Sequence, residues 1–182
     1  KTAEYFKVHK ILDLKDMVNQ SAERYPNCNA FTIKDSQGDF QSITFTQLQH
    51  KMNALGTAFL DLGLSNSFVA VLSENRFEWC LTYLSVANGV GVIVPLDKEL
   101  PENEIAALLA RSNSKAIITS ATYLDSIKKV KSGIPELEYV ICMDDIDGKD
   151  DCLSLKSLIE KGSRLIEEGD RRYIDTIIDP EA

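Results

Sequence analysis

Four short apolar runs, each bounded by polar or turn-forming residues, set the pattern of this chain. They occupy residues 68–72, 92–94, 116–118 and 139–141. Runs of this length fit strands, whereas the segments between them repeat apolar residues at helical spacing. Apolar strands that alternate with helices are typical of a parallel sheet covered on both faces. The pattern therefore predicts an α/β fold with a doubly wound, mainly parallel sheet and flanking helices.

The first two runs enclose the most apolar helical segment. Residues 76–88 carry apolar side chains around most of a helical wheel, so this helix is expected to be largely buried, with Trp79 in the core. Asn75 suits the N-cap, and Glu78 lies three residues later, as in a capping box. Gly89 suits the left-handed position that ends a helix. Strand, buried helix and strand form a βαβ unit around which the chain is organised.

The chain before this unit predicts a helix followed by an N-terminal β-hairpin. Asp13 suits the cap of the first helix, and Pro26 ends it. Residues 30–33 and 42–43 are expected to pair as hairpin strands around a glycine-containing loop at residues 35–39.

Capping signals place the remaining helices. Thr44 and Gln47 form a capping-box pair that opens a helix ending at Gly63. Later helices are predicted from Pro101, at residues 123–130, and at residues 155–166, where Gly162 is expected to weaken the helix before Gly169 ends it.

Composition narrows the function classes. The 182 residues are 44% hydrophobic and 26% charged, which is typical of one globular domain. A net charge of −8 without a lysine- or arginine-rich cluster argues against nucleic acid or anionic lipid as a partner. No apolar run approaches the ~20 residues of a membrane span. The four cysteines, without a CxxC pair, are expected to be thiols packed as small hydrophobes.

Two stretches resemble ligand-binding motifs but lack residues that those motifs require at fixed positions. Residues 145–148 (DIDG) resemble part of a calcium loop, but Met143 and Ser154 stand where carboxylates are required. We interpret this stretch as a solvated acidic turn. The sequence of residues 89–91 (GVG) lacks a third glycine and precedes a strand, so it indicates a helix end and a turn rather than a dinucleotide site.

Titratable residues give little support for catalysis. His9 and His50 lack metal-ligand spacing and are expected at the surface. Glu74, Glu78 and Asp97 lie near predicted strand ends, where α/β proteins usually bind ligands. Because Glu78 is accounted for as a cap, we expect none of the three to be catalytic.

Four segments in order nevertheless resemble the AMP-forming acyl-adenylate superfamily. Residues 43–48 (ITFTQL) are similar to its first core motif, and residues 87–97 (ANGVGVIVPLD) to its second. Residues 74–79 (ENRFEW) resemble the Asn-x-x-Glu-Trp element of long-chain acyl-CoA synthetases, and residues 100–105 (LPENEI) resemble the family's next helix. The resemblance covers most of the chain and favours an acyl-CoA synthetase.

The sequence departs from the family in two respects. Lys98 follows Asp97 where adenylation domains usually have proline, which leans away from a peptide synthetase. The family's Ser/Thr/Gly-rich phosphate loop is expected shortly after residues 180–182, where the sequence stops. Residues 1–182 are therefore expected to be the N-terminal subdomain of such a ligase, truncated before that loop. The resemblance assigns no catalytic, cofactor-binding or metal-binding residue to any position here.

For the parent enzyme, the resemblance implies conversion of a fatty acid to an acyl-adenylate and then to acyl-CoA, with ATP, Mg²⁺ and CoA as cofactors. The fragment alone is expected to be inactive and to need none of them. Its partner would be the remainder of its own polypeptide, which holds the adenylating core and the C-terminal domain. A cytoplasmic location is expected, with peripheral membrane association of the parent and a homodimer left open.

Two other hypotheses stay open. The chain is alternatively part of an adenylation domain that loads a carrier protein, or a free-standing, non-catalytic binding module of flavodoxin-like fold. A phosphate loop in the residues that follow the sequence would exclude the last of these.

Overall fold

The computed structural model describes residues 9–34, 37–145 and 152–179. Its helices are α1 (Leu14–Arg24), α2 (Phe45–Asp61), α3 (Phe77–Ala87), α4 (Glu102–Ser112), α5 (Ala121–Lys131) and α6 (Leu155–Glu167). Its strands are β1 (Asn29–Lys34), β2 (Phe40–Thr44), β3 (Ser67–Leu72), β4 (Gly91–Pro95), β5 (Ser114–Thr119), β6 (Tyr139–Cys142) and β7 (Leu153–Ser154). None of the described helices has both the length and the apolar character needed to cross a bilayer.

The main sheet has five parallel strands in the order β4-β3-β5-β6-β7. Counted along the chain within this sheet, the order is 2-1-3-4-5, which is a common doubly wound arrangement. All four predicted strands are present and parallel, so the predicted fold class is confirmed. The two-residue strand β7 was not predicted, because a segment this short carries no periodic signal.

Helices cover both faces of the sheet. On one face, Val69 and Val71 of β3 share a buried cluster with Leu55 of α2, Leu81 of α3 and Leu158 of α6. On the other face, residues from α4 and α5 pack against alternate strand positions in a second cluster that includes Ala70, Leu72, Ile105, Leu109 and Ile127. Alternation along β3 therefore sends successive side chains into two separate cores.

Local signals correctly predicted the first part of the chain. The Asp13 side chain accepts a hydrogen bond from the Asp16 backbone N–H at 2.7 Å and caps α1. Strands β1 and β2 pair antiparallel as the predicted hairpin, whose loop residues 35 and 36 lie outside the described part. Thr44 and Gln47 form both hydrogen bonds of a capping box at the start of α2. These features depend on a few neighbouring residues, so the sequence alone is enough to predict them.

The predicted Asn75 cap is wrong. Arg76 occupies the N-cap of α3 without a side-chain capping bond, and Asn75 is exposed. Glu78 is not a capping-box partner, because it accepts a hydrogen bond from Arg76 Nε at 2.7 Å. The helix begins one residue later because Phe77 is the first side chain buried against the core, where its ring meets Phe31 edge-on.

The expected coverage of both sheet faces is only partly correct. Phe68 of β3 and Val92 of β4 are register partners, and their side chains are 42% and 51% exposed. They lie on the same face as α4 and α5, which contact β5 and β6 and leave the start of β3 and β4 open. Edge strand β4 is therefore less covered than its apolar sequence indicates.

Trp79 also differs from its prediction. Every residue of α3 is buried or half-buried, as expected, but Trp79 lies at the margin of the core rather than inside it. Its ring stacks on Tyr83 one turn later, with 5.6 Å between ring centroids. An all-round apolar helix does not reveal which side faces the sheet, and Leu81 occupies that position here.

Glycine at position 162 strengthens the fold where the sequence indicated weakness. Helix α6 runs unbroken through Gly162, and a Cβ there would overlap the Ala54 carbonyl of α2. The missing side chain lets α2 and α6 approach closely.

The four cysteines, all within described segments, form no disulfide. Cys142 is buried, whereas Cys28 is exposed, contrary to the expectation that all four are packed inside.

Candidate functional site

The strand order creates a crevice at the carboxyl ends of β3 and β5. From β3 the chain crosses through α3 to β4 on one side, and from β4 it crosses through α4 to β5 on the other. Open α/β sheets usually bind ligands at such a switch point. The segments that reach it are the loop of residues 73–76 after β3 and, after β5, Ser120 with the first turn of α5.

Arg76 links three of the segments at this edge. Its Nε donates to Glu78 Oε2, and its Nη1 donates to Asp144 Oδ1, both at 2.7 Å. Asp144 Oδ2 in turn accepts the backbone N–H of Ala121, the first residue of α5, at 2.7 Å. Burial works against the charged guanidinium, but the hydrogen bonds to the two carboxylates outweigh it and raise the pKa of Arg76. Arg76 therefore stays charged and engaged.

Glu74 is the second ionised group of the switch point. A hydrogen bond from the Thr122 hydroxyl is the largest of the effects that lower the pKa of Glu74, with smaller contributions from Ser120 and Arg76 and an opposing one from burial. The Ser120 contribution is not a direct hydrogen bond, because Ser120 is only 1% exposed and its Oγ has no partner within hydrogen-bond distance among the described residues. Glu74 therefore carries a full negative charge at neutral pH.

The hairpin closes one side of this edge and forms an open cleft of ≈ 840 Å³. Strand β1 supplies one wall, and residues 74–80 together with the start of α5 supply the other. The lining carries three carboxylates, those of Glu74, Glu78 and Asp144. Of the cations that line it, Arg76 is paired with two of these carboxylates, and the Lys34 ammonium lies 5.9 Å from the Phe40 ring centroid.

This charge arrangement does not fit a nucleotide polyphosphate. A polyphosphate needs oriented N–H donors and unengaged cations, and here carboxylates outnumber the cations that face them. Within the described part of the chain, no group of three or more His, Cys, Asp or Glu side chains is placed to hold a metal ion. The edge is therefore better suited to holding protein segments together than to phosphate chemistry.

The structure separates the titratable residues that the sequence singled out. Glu74 and Glu78 meet at the cleft, whereas Asp97 is exposed beyond β4 and accepts the Glu99 backbone N–H at 2.9 Å. His9 and His50 are both exposed, as predicted, and His50 Nε2 lies 3.2 Å from Ser163 Oγ. The proposed acidic turn lies largely outside the described residues, since residues 146–151 are not described.

Sequence inspection missed Arg76 and Asp144 as partners. Both follow apolar strands, so each carried the same positional signal that drew attention to Glu74. Their contact depends on β3 and β6 ending at the same edge, which only the strand order reveals.

Comparison with known proteins agrees with the fold. The chain is 29% identical over 124 residues to tyrocidine synthase 3 of Brevibacillus parabrevis, a match that covers 68% of this chain and 2% of that protein. It is 25% identical over 119 residues to crotonobetaine/carnitine–CoA ligase of Citrobacter koseri, with 65% of this chain and 23% of the ligase covered. The chain therefore spans less than a quarter of the length of these relatives.

A solved structure extends the similarity to three dimensions. A long-chain-fatty-acid–CoA ligase of Archaeoglobus fulgidus superposes with a TM-score of 0.70 at 17% identity, covering 82% of this chain and 30% of the ligase. At that identity the superposition supports the fold alone. The sequence model of the AMP-binding enzyme family matches residues 18–172, which include the whole central sheet. The chain therefore belongs to the AMP-binding enzyme family.

Proposed function

We propose that this chain is the N-terminal subdomain of an ATP-dependent, AMP-forming acyl-CoA ligase. The observation that carries the proposal is the family match over residues 18–172. Family membership implies ATP use in the complete enzyme. The choice of CoA as acyl acceptor is supported by the similarity to CoA ligases and by the ENRFEW segment at residues 74–79, which resembles long-chain acyl-CoA synthetases.

In this proposal the chain supports the active site without containing it. The carboxylate-lined edge does not fit a polyphosphate, which supports placing the groups that would bind ATP and Mg²⁺ in a later part of a longer polypeptide. That later part, the adenylating core and the C-terminal domain, is the partner of this chain. The parent would act in the cytoplasm on a fatty acid and CoA.

A second candidate keeps the same first half-reaction. The tyrocidine synthase relative supports an adenylation domain that transfers its acyl group to a carrier protein rather than to CoA. Lys98, which pairs with Glu99 at 3.2 Å on the surface, occupies the position after Asp97 where such domains usually have proline. We therefore place this candidate second.

Acyl transfer by the full-length gene product distinguishes the two. With ATP, Mg²⁺ and a panel of carboxylic acids of different chain length, the first candidate predicts acyl-CoA in solution. The second predicts acyl-AMP that persists with CoA and is consumed only when a phosphopantetheinylated carrier protein is added. Detection of the thioester by mass spectrometry decides between them, and failure to form an acyl-adenylate from any acid would contradict both.

A further inference from the structure

The segment after α6 returns across the helices and is held by one buried side chain. Among residues 170–179, Tyr173 is the buried residue, with no exposed surface, whereas Ile177 is 92% exposed. The Tyr173 ring lies against α2 at Gly56, where a Cβ would overlap the ring. Its hydroxyl donates to the Ser85 carbonyl of α3 at 3.0 Å. The Tyr173 side chain thus anchors this segment to α2 and α3.

Lys15 of α1 closes over the anchor from the other side. Its Nζ donates to the carbonyls of Tyr173 at 2.6 Å and Thr176 at 2.7 Å, and it lies 5.1 Å from the Tyr173 ring centroid. The residue is only 6% exposed. A buried ammonium is costly unless it is hydrogen-bonded, and here two of its N–H groups reach backbone carbonyls of the same turn.

The other contacts of the turn at residues 171–176 are mostly between its own residues. Asp175 N–H donates to the Arg171 carbonyl at 2.8 Å, and the two side chains form an exposed ion pair. Thr176 lies over Gly89, where a Cβ would come within 3.2 Å of the Thr176 methyl. Bonds inside the turn keep its shape but do not attach it to the domain. Attachment therefore depends mainly on the Tyr173 side chain, through its ring and hydroxyl, and on the Lys15 ammonium.

We propose that Lys15 and Tyr173 form a clamp that sets the direction in which residues 177–179 leave the helices. Both act as positioning residues, because they hold a segment rather than touch a substrate. That the clamped segment leads to the phosphate loop rests on the proposed function. The clamp itself is a property of the chain Lys1–Ala182 and is testable without any ligase activity.

Hydrogen–deuterium exchange of the 182-residue chain tests the clamp. Lys15→Met keeps an apolar stem and removes the ammonium, so amides of residues 171–176 are expected to exchange at least about 10-fold faster, while those of β3 and β5 change less than about twofold. Lys129→Met is the matched control, since Lys129 of α5 forms an exposed pair with Glu102 of α4 at 3.4 Å. It is expected to leave residues 171–176 unchanged.

Limited trypsin digestion gives an independent measurement. Arg171 and Arg172 are exposed trypsin sites within the clamped turn, and cleavage there needs the turn to open locally. Lys15→Met should accelerate cleavage after these arginines more than cleavage at Lys115, which lies in β5. Equal acceleration at both places would overturn the proposal, because the segment would then unfold together with the core. No acceleration at either place would also overturn it, because the segment would then be held without Lys15.

A second variant covers the case in which Lys15→Met does not fold. Asp175→Asn changes an exposed residue and removes both the Arg171 pair and a charge that favours the Lys15 ammonium. It should speed exchange in residues 171–176 by a smaller factor with unchanged core exchange, and an unchanged segment would contradict the clamp. Because exchange needs no ATP, this result is independent of whether the proposed ligase activity is found.

Discussion

Arg76 and Asp144 are 68 positions apart in the sequence, yet Nη1 of the arginine lies 2.7 Å from Oδ1 of the aspartate. The pair joins the loop after β3 to Asp144, the second residue after β6, and Asp144 extends the link to α5 through the Ala121 N–H. The carboxyl edge of the sheet, where many α/β proteins bind ligands, is thereby tied together by protein groups.

Asp144→Asn is expected to lower the free energy of unfolding by about 1–2 kcal/mol, because charge-assisted bonds become neutral ones. Asp145→Asn is the matched control. The neighbouring Asp145 pairs with Lys156 at 3.4 Å, both side chains are largely exposed, and its loss should cost well under about 1 kcal/mol. Urea denaturation measures both, and equal effects would show that the Arg76–Asp144 link contributes no more than a surface pair.

Leu81→Ala is expected to destabilise the chain more than Trp79→Ala. Leu81 is fully buried between α3 and the sheet, so its truncation should cost about 2–5 kcal/mol. Trp79 is half-buried at the margin of the core, where its ring stacks on Tyr83. Truncation of Trp79 to alanine should therefore lower the free energy of unfolding by about 2–3 kcal/mol. Urea midpoints of the two variants give the order. The reverse order would place Trp79 in the core after all.

Gly56→Ala is expected to destabilise the protein although alanine is the better helix former. Inside a helix this change normally stabilises by about 1 kcal/mol, but here the methyl group would overlap the Tyr173 ring and force a shift that costs about 1–3 kcal/mol. Gly133→Ala is the control, because a Cβ there meets only the Val130 carbonyl at an ordinary 3.6 Å. Thermal unfolding followed by circular dichroism measures the stability of both variants. A stabilised Gly56→Ala variant would show that the Tyr173 ring does not pack closely against Gly56.

The buried phenol of Tyr173 is expected to make the folded protein less stable at alkaline pH. Burial raises the pKa of Tyr173 well above its usual value of 10.0, so the folded protein keeps the phenol neutral where the unfolded chain ionises. The stability from this group is complete below pH 10 and falls above it, by about 1.4 kcal/mol per pH unit. Urea midpoints between pH 8 and pH 11 should therefore fall less steeply for Tyr173→Phe than for the wild type. Tyr25→Phe, at an exposed position, should follow the wild type.

The features that the sequence predicted are those fixed by neighbouring residues. Apolar runs identified β3 to β6, and Thr44 with Gln47 identified the start of α2. The N-cap of α3 was misplaced because Asn75 is a good cap by type, whereas the contact of Arg76 with Asp144 depends on a residue far along the chain.

The clamp shows the same limit more strongly. Lys15 and Tyr173 are 158 positions apart, and neither stands in a recognisable motif. In the sequence, Lys15 is one of several polar residues of the first helix, and Gly56 is a glycine within α2. Contacts made by topology rather than by local pattern determine the candidate site, so they needed the structure.

Carboxylate-dependent ATP–pyrophosphate exchange tests the central claim most directly. The 182-residue chain and the full-length gene product are assayed in parallel with Mg²⁺ and the same acids. Adenylation develops charge on a polyphosphate that oriented donors and metal must stabilise, and the carboxylate-lined cleft at the carboxyl edge of the sheet does not fit that task. The account predicts background exchange for the chain and clear exchange for the full-length protein. Exchange by the chain alone, abolished by a substitution such as Glu74→Gln within it, would contradict the account.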